Sequence, residues 1–374
     1  MKIPQRIVVA LALTFAASMF VAEAQSPPPA PRGDELKSRI DQAAEQEMTA
    51  HNGAGLMVGI LHNGERSVFA YGETVKGSGR KPDRKTLFQI GSITKTFTAM
   101  QLALAVRNGK AHLNDPVKKY FPQAKIPSYG QQQITLLDLA DHTSALPRMI
   151  GQWKGKQGAT IQDMLNFLSS YRLTRAPGER YEYSNLAFAL LGHALARSAN
   201  TTWAALVHRQ IIGPLQLRDT TIELNPEQFG RRAQGYGPRG NPAPLHSNQW
   251  PLMAPAGGLY STMDDMLDYL AYNMSERQTP LDDLLPMMHQ ARHAGPRPQT
   301  QVGLGWEIQQ TPNGEIIWKN GATPGFHCYI GFNQSTKTGV VVLTNSAMKP
   351  MPIVKAVFSE FKNEPGEEEV SGDE

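Results

Sequence analysis

The chain has 374 residues, with 37 lysines and arginines against 33 acidic residues, so its formal net charge is only +4. The basic residues are dispersed along the chain, which excludes the electrostatic stripe typical of nucleic-acid binding, and we expect no nucleic-acid partner. The only cysteine, Cys328, excludes an intramolecular disulfide, and its setting in FHCYIGF predicts a buried strand residue.

The first 24 residues have the pattern of a signal peptide. Two basic residues precede an apolar run over 7–21, and the small-x-small sequence at 22–24 is a cleavage site. The run is shorter than the about 20 apolar residues of a membrane span. We therefore predict cleavage after Ala24, a periplasmic or secreted bacterial protein, and no integral membrane span after cleavage. Residues 25–33 are rich in proline and predict a flexible, extended linker.

The remaining chain exceeds the usual length of one domain, about 100–200 residues, and its patterns predict two lobes that are interleaved in sequence. A helical pattern over 34–52 comes first. Two strands follow around Asn63-Gly64, a strong hairpin signal. Segments 315–321, 326–333 and 339–346 predict further strands, and an amphipathic helix comes after them.

These segments predict an α+β fold in which the first and last strands share one antiparallel sheet flanked by helices. The sheet lobe would comprise about 34–86 and 286–361. Helical patterns and long loops over about 87–285 predict an inserted helical lobe, with a cleft at its junction with the sheet. Residues 362–374 predict a solvated acidic tail to which we assign no function.

The segment FQIGSITKTFTAMQLALAVRNGK places Ser92 one helical turn before Lys95. Its apolar spacing predicts a helix with one buried face that ends at Asn108-Gly109. Ser92 would lie at or near the helix N-terminus, where the dipole favours developing negative charge. A Lys95 kept neutral by burial or by a cationic neighbour could take the serine proton. The alternative is a capped surface helix, because S-x-x-K alone is a weak signal.

Tyr183-Ser184-Asn185 follows a Pro-Gly turn signal and precedes an apolar helical run, which predicts a loop beside a helix. Tyr183 offers a phenol that could relay a proton, and Asn185 offers an amide that could hold a substrate amide. The alternative is an N-cap in which Ser184 or Asn185 merely closes the following helix.

Lys319-Asn320-Gly321 lies between two β-rich runs, which predicts the end of one strand and a turn into the next. A glycine there would let a ligand approach the backbone. The alternative is an ordinary Asn-Gly turn with an exposed lysine.

Taken together and in this order, S-x-x-K, Y-S-N and K-x-G resemble the three motifs of the serine β-lactamase and penicillin-binding-protein superfamily. Blocks such as LLDLADHTSALPR and GLGWEI extend the resemblance over roughly Asp34 to Phe361. The sequence is most similar to class C β-lactamases, to periplasmic D-alanyl-D-alanine carboxypeptidase/endopeptidases of that type, and to serine esterases on the same frame. The resemblance implies α/β and all-α lobes and a hydrolase of β-lactam or D-Ala-D-Ala type amide bonds. It calls for no metal or organic cofactor.

The resemblance also implies the roles of four catalytic residues. Ser92 would be the acylated nucleophile, with Lys95 as its partner. Tyr183 would be the general base and acid that first deprotonates Ser92 and later activates water. Lys319 would lower the pKa of Tyr183 and attract the substrate carboxylate.

On the binding side, the resemblance implies that Asn185 holds the acyl-side amide of the substrate. Asn320, Gly321 and Ala322 would line the binding site along the third motif. The backbone N–H groups of Ser92 and Ala322 would form the oxyanion hole, a device often worth ~3 kcal/mol per donor.

Three departures from the class C pattern bear on the substrate. Ser184 stands where class C β-lactamases usually have alanine, which is more like D-Ala-D-Ala peptidases and related esterases. Asn320 replaces the threonine of the usual K-T-G, so carboxylate recognition by that residue is an open question. Asn345 is kept, but the asparagine-rich continuation is missing, and no E-x-x-L-N motif of the class A kind occurs.

The sequence leaves two rivals open: an esterase acting on small acyl esters, and a non-catalytic sensor of penicillin or peptidoglycan that is acylated once. The retained Tyr183 argues against the sensor. His142 and His327 could suggest a serine–histidine dyad, but no G-x-S-x-G elbow surrounds any serine. For three aromatic residues, the alternatives are a wall of the cleft or core packing: Trp153, Trp250 and Tyr260.

Overall fold

The computed structural model describes residues 33–151, 158–244 and 251–361. The predicted signal peptide, nearly all of the predicted linker and the acidic tail lie outside these ranges, as do Trp153 and Trp250. The first helix begins at Gly33.

Twelve strands lie within the described ranges: β1 Gly55–His62, β2 Glu65–Gly72, β3 Phe88–Gln89, β4 Ser128–Tyr129, β5 Gln132–Gln133, β6 Tyr260–Ser261, β7 His293–Ala294, β8 Thr300–Val302, β9 Glu307–Thr311, β10 Gly314–Thr323, β11 Phe326–Asn333 and β12 Thr338–Thr344. Eight of them form one antiparallel sheet in the order β2-β1-β12-β11-β10-β9-β8-β7. Val58 of β1 pairs with Val342 of β12. The predicted sharing of one sheet by the first and last segments is confirmed.

The same ranges contain eleven α-helices: α1 Gly33–Ala50, α2 Thr94–Arg107, α3 Leu136–Ala140, α4 Ile161–Ser170, α5 Asn185–Ser198, α6 Trp203–Val207, α7 Pro226–Arg231, α8 Ala254–Gly257, α9 Met263–Asn273, α10 Leu285–His289 and α11 Met351–Glu360. Helices α2 to α10 lie between the two parts of the sheet in sequence. This order matches the predicted helical insertion, although the division into two lobes stays a prediction.

Helices cover both faces of the sheet. Alternate side chains of a strand point to opposite faces, so Leu56 and Val58 of β1 pack with α1 and α11, whereas Met57 and Leu61 pack into the larger core with the inserted helices. Because both faces are covered, β1 and β12 are continuous apolar runs instead of alternating ones.

The Asn63-Gly64 hairpin forms as predicted. Both residues have positive φ, 49° and 83°, which is what a two-residue turn matching the twist of its strands requires. The stop after α2 is also confirmed, since Asn108 is the C-cap and Gly109 has φ 64°.

The prediction that Lys319-Asn320-Gly321 ends a strand is wrong. Strand β10 continues to Thr323, which pairs with Phe326 of β11, and the turn falls at 324–325. An Asn-Gly pair predicts a tight turn only where no neighbouring strand continues the ladder. Here Asn320 and Gly321 pair with β11 residues Tyr329 and Cys328.

The burial of α2 is also more complete than its apolar spacing predicts. All residues from Thr94 to Leu104 are buried, including Lys95 and Gln101. The helix packs against α5, α6, α8 and α10 and against the segment at Gly305, so its polar side chains are buried with its apolar ones.

Candidate active site

Ser92 lies at the N-terminus of α2, as the sequence predicts. The 3₁₀ turn Gly91–Ile93 leads directly into the helix, and Ser92 is half-buried. The short β3–β6 pair holds the preceding segment, where the backbone N–H of Ile90 donates to the carbonyl of Leu259 at 3.0 Å. The serine is therefore held on a backbone that is hydrogen-bonded just before it and helical just after it.

The turn that carries Ser92 lies directly against strand β10. A Cβ added to Gly321 would lie 2.0 Å from the carbonyl oxygen of Ile90 and 3.2 Å from the backbone nitrogen of Ser92. A Cβ added to Gly91, which has φ 49°, would lie 2.7 Å from the backbone nitrogen of Ala322. Glycine at both positions allows this approach. The backbone segments that carry the nitrogens of Ser92 and Ala322 therefore lie side by side.

Lys95 occupies the position one turn below Ser92 and is completely buried. Its Nζ lies 2.9 Å from Ser92 Oγ, 2.7 Å from Asn185 Oδ1 and 2.6 Å from the carbonyl oxygen of Ala256. Three different segments therefore meet at this amine: the start of α2, the start of α5, and α8.

Burial holds the pKa of the Lys95 amine well below its usual value, and the cations of Lys319 and Arg148 add to the effect. A neutral amine has two N–H donors and one lone pair. Asn185 Oδ1 and the Ala256 carbonyl can only accept, so they take the two donors. In the structure the amine donates to Ser92 Oγ as well. Of the three partners, only the Ser92 hydroxyl carries a proton that a neutral Lys95 can accept.

Tyr183 faces Ser92 from the other side. Its hydroxyl lies 2.5 Å from Ser92 Oγ. The next residue, Ser184, is the N-cap of α5, since its Oγ accepts from the backbone N–H of Ala187 at 2.9 Å. The capping alternative therefore holds for Ser184, while Asn185, the first residue of the helix, contacts Lys95. The Y-S-N motif therefore caps a helix, places Tyr183 against Ser92 and places Asn185 against Lys95.

Lys319 lies beneath the tyrosine ring and is paired with an acid. Its Nζ is 5.1 Å from the ring centroid of Tyr183 and 3.1 Å from Glu307 Oε1. Both members of the pair are buried, with Lys319 1% and Glu307 6% exposed. Glu307 lies on β9 beside β10, within the GLGWEI block, to which sequence analysis assigned no role.

His142 also contacts the site. Its ring lies 4.5 Å from that of Tyr183, and its Nδ1 accepts from the backbone N–H of Ser184 at 3.1 Å. Burial, helped by the cations of Lys319, Lys95 and Arg148, holds the pKa of this histidine well below its ordinary value. A neutral His142 therefore supports the Tyr183 loop and does not contact Ser92. His327 contacts the carbonyl of Met348 instead.

Arg148 is the cation that sequence reasoning missed. Its guanidinium carbon lies 5.1 Å from the ring centroid of Tyr183, and the side chain is exposed. It belongs to the HTSALPR segment, which resembles a family block but carries no catalytic signature of its own. Only the folded chain brings this segment next to Tyr183.

A cleft opens in front of the serine. Its lining includes Ser92, Asn185 and Ala322 together with Met149, Met253, Ala254, Ala256, Gly257, Gly258 and Thr323. Asn320 follows Lys319 on β10, is half-buried, and is not among the residues that line this cleft.

Tyr260 is buried, and its hydroxyl accepts a hydrogen bond from Gln89, so it packs in the core and does not line the cleft. Cys328 is buried in β11, as predicted.

Within the described ranges, no group of three or more histidine, cysteine or acidic side chains is arranged to hold a metal ion. Over the same residues, no helix combines the length and the apolar character needed to cross a bilayer.

The sequence profile of the family described as Beta-lactamase matches residues 40–356. The chain belongs to the beta-lactamase family. The D-alanyl-D-alanine-carboxypeptidase/endopeptidase AmpH of Escherichia coli K12 is 30% identical over 331 residues, which cover 83% of this chain and 84% of AmpH. A protein of Pseudomonas fluorescens named beta-lactamase is 28% identical over 359 residues, covering 87% of this chain and 98% of that protein.

The fold agrees with this membership of the beta-lactamase family. A solved structure titled as a class C beta-lactamase superposes with a TM-score of 0.80 at 23% identity, covering 90% of this chain and 98% of that one. The predicted α+β fold is confirmed. The protein is an enzyme of the beta-lactamase family, a serine hydrolase of the class C type.

Proposed function

We propose that the enzyme hydrolyses β-lactam or D-Ala-D-Ala type amide bonds through an ester on Ser92. The observation that carries this proposal is the position of Ser92 Oγ, 2.9 Å from Lys95 Nζ and 2.5 Å from Tyr183 OH. A nucleophile between a neutral amine and a phenol has a proton acceptor on one side and a proton donor on the other. The names of AmpH and of the Pseudomonas fluorescens relative support this substrate class.

In the proposed acylation step, Ser92 Oγ attacks the carbonyl carbon and its proton passes to the lone pair of Lys95. The lowered pKa of Lys95 favours the neutral amine that this step requires. The backbone N–H groups of Ser92 and Ala322 stabilise the oxyanion. Tyr183 then donates its proton to the departing nitrogen as the carbon–nitrogen bond breaks. In this mechanism Lys95 takes the proton of Ser92, whereas the family resemblance assigns that role to Tyr183.

In the proposed deacylation step, the Tyr183 phenolate takes a proton from a water molecule, and the resulting hydroxide attacks the ester carbonyl. The ester bond to Ser92 breaks, and Lys95 returns its proton to Ser92 Oγ. The Lys95, Lys319 and Arg148 cations all lie within 4.8–5.1 Å of the centroid of the Tyr183 ring, where they stabilise the phenolate between the two steps. Asn185, which lines the cleft and contacts Lys95, holds the acyl-side amide.

We infer that the enzyme acts outside the bacterial cytoplasm, in the periplasm or after secretion. The signal-peptide pattern over 1–24 supports this location. The substrate supports it too, because D-Ala-D-Ala peptides belong to peptidoglycan.

The test uses the purified mature protein, Ser92→Ala, and, as a matched control, Ser169→Ala, which changes a half-buried serine of α4 that is not among the residues lining the cleft. Each is assayed with a chromogenic cephalosporin, a D-Ala-D-Ala peptide and a short-chain nitrophenyl ester. We expect turnover of the cephalosporin or the peptide by the parent and by Ser169→Ala but not by Ser92→Ala. A covalent adduct on Ser92, seen by mass spectrometry, would identify the intermediate. Absence of both turnover and adduct would contradict the proposal.

An esterase is the second candidate, and Asn320 in the place of the usual threonine favours it. Turnover of the nitrophenyl ester well above the two amides would support this alternative. The sensor would be supported by a burst of one equivalent of product without further turnover.

A further inference from the structure

Three basic side chains surround the ring of Tyr183, and they differ in how far the protein compensates their charge. The distances to the ring centroid are 4.8 Å for Lys95 Nζ, 5.1 Å for Lys319 Nζ and 5.1 Å for the guanidinium carbon of Arg148. Among several fixed charges near a cleft, those without a nearby opposite charge contribute most to attracting a charged substrate.

Two of the three cations are compensated within the protein. Burial, helped by the charges of Lys319 and Arg148, holds the pKa of Lys95 well below its usual value and so favours the uncharged amine, whose Nζ lies within 2.9 Å of three protein oxygens. Lys319 forms a buried ion pair with Glu307 at 3.1 Å. None of the ion pairs among the described residues includes Arg148, and its side chain is exposed. The uncompensated positive charge beside Tyr183 is therefore that of Arg148.

The backbone of Arg148 is held by the Y-S-N motif. Its carbonyl accepts from the backbone N–H groups of Asn185 at 3.0 Å and Leu186 at 3.4 Å. Ser184 Oγ donates to the preceding carbonyl, that of Pro147, at 2.8 Å. The following residue, Met149, lines the cleft in front of the serine. The anchored segment therefore reaches the cleft at Met149, and the Arg148 guanidinium, although not among the lining residues, lies over the ring of Tyr183, whose hydroxyl contacts Ser92.

We propose that Arg148 binds the substrate carboxylate, the role that the resemblance gives to the third motif. This inference rests on the proposed function. In a D-Ala-D-Ala substrate, the terminal carboxylate is attached to the α-carbon next to the scissile nitrogen. Because Tyr183 protonates that nitrogen, the carboxylate lies on the tyrosine side of the site, where Arg148 is. A guanidinium binds a carboxylate through two parallel hydrogen bonds.

The same argument explains the third motif of this chain. A threonine at position 320 is dispensable when carboxylate recognition comes from the HTSALPR segment. The buried Lys319 then stabilises the Tyr183 phenolate and the Glu307 carboxylate, and it does not need to bind substrate.

The test compares Arg148→Met and Arg148→Lys with Arg209→Met, which removes an exposed arginine after α6, away from the described cleft. Each variant is assayed with the D-Ala-D-Ala peptide, with the same peptide amidated at its C-terminus, and with the neutral nitrophenyl ester. We expect Arg148→Met to lower kcat/KM about 10–100-fold for the free carboxylate, chiefly through KM, and much less for the two neutral substrates. Arg148→Lys should restore part of the loss.

Equal losses on charged and neutral substrates, with a shifted pH profile of kcat, would overturn the assignment, because Arg148 would then act only on the proton-transfer groups. Unchanged kcat/KM for the free carboxylate would overturn it as well. Either result leaves Ser92-dependent peptide turnover intact, so the proposed function survives. Ser92-dependent turnover confined to the neutral ester would instead overturn both proposals. Thermal unfolding of each variant checks that the fold is retained.

Discussion

Ser184 Oγ donates to the carbonyl of Pro147 at 2.8 Å and accepts from the backbone N–H of Ala187 at 2.9 Å. One buried hydroxyl therefore caps α5 and anchors the segment that carries Arg148. An alanine at this position could make neither bond. The serine of the Y-S-N motif thus acts through the neighbouring loop and not by contact with the cleft.

Ser184→Ala should lower the free energy of unfolding by about 1–2 kcal/mol, because it removes an N-cap and leaves the Pro147 carbonyl without this donor. It should also reduce the preference for the carboxylate-bearing peptide over the amidated one. Urea unfolding and the ratio of kcat/KM values measure the two effects. Thr160→Ala, which removes the N-cap of α4, is the control. It should lose stability without changing the ratio, and an equal change in both variants would contradict the role of Ser184.

Lys95→Met should lower the acylation rate about 10²–10⁴-fold, because it removes the group that accepts the Ser92 proton. In the parent enzyme the amine is active when neutral, that is, above its pKa. Since that pKa lies well below the ordinary 10.5, the rising limb of the acylation rate should fall well below pH 10.5. Stopped-flow acylation over a pH series tests this, with the exposed Lys110→Met as the control. A rising limb near pH 10.5 would show that Lys95 is charged in the resting enzyme.

Glu307→Gln should destabilise the protein by about 3–5 kcal/mol, because it leaves the buried Lys319 ammonium without its carboxylate. The double variant Glu307→Gln with Lys319→Met should recover much of this loss, since it removes the buried ammonium as well. Both effects are read from urea unfolding curves. Asp268→Asn, which breaks a half-exposed pair with Arg66, should cost less than about 1 kcal/mol. Additive losses in the double variant would show that the pair is not coupled.

Acid should destabilise the fold partly through His289. Burial lowers the pKa of this histidine to about 3 from 6.5. Between these values the unfolded chain binds a proton that the folded chain does not, so stability is full above pH 6.5 and falls as the pH drops toward 3. His289→Gln should shrink the loss of unfolding free energy between pH 7 and pH 5 by about 2 kcal/mol. An unchanged loss, measured by urea unfolding at both pH values, would contradict this.

Gly321→Ala should lower kcat by about 10²-fold or more, because its Cβ would displace the Ile90 carbonyl and separate the two oxyanion donors. The predicted Cβ position is 2.0 Å from that oxygen, so the turn carrying Ser92 must shift. Gly230→Ala is the matched control, since a Cβ there has no atom within 4 Å. Steady-state kinetics compare the two, and near-parent activity of Gly321→Ala would show that β10 does not need this close approach.

Local sequence was sufficient for much of the fold and for part of the site. Helical spacing placed Lys95 one turn from Ser92, Asn63-Gly64 specified a hairpin, and a Pro-Gly turn before an apolar run placed Tyr183 in a loop. These relations involve residues that are close in sequence, where backbone geometry alone sets the distances. The order of the three motifs pointed to the family that the comparisons then confirmed.

Only the tertiary structure determined how deeply the site residues are buried and which charged side chains lie next to one another. Burial from every side, and not helical spacing, lowers the pKa of Lys95. Strand pairing in β10 replaced the turn predicted at Asn320-Gly321, because a neighbouring strand supplied hydrogen bonds that local sequence does not reveal. Glu307 reaches Lys319, and Arg148 reaches the ring of Tyr183, from distant parts of the sequence. Such long-range electrostatic terms depend on distances between segments, which only the assembled fold sets.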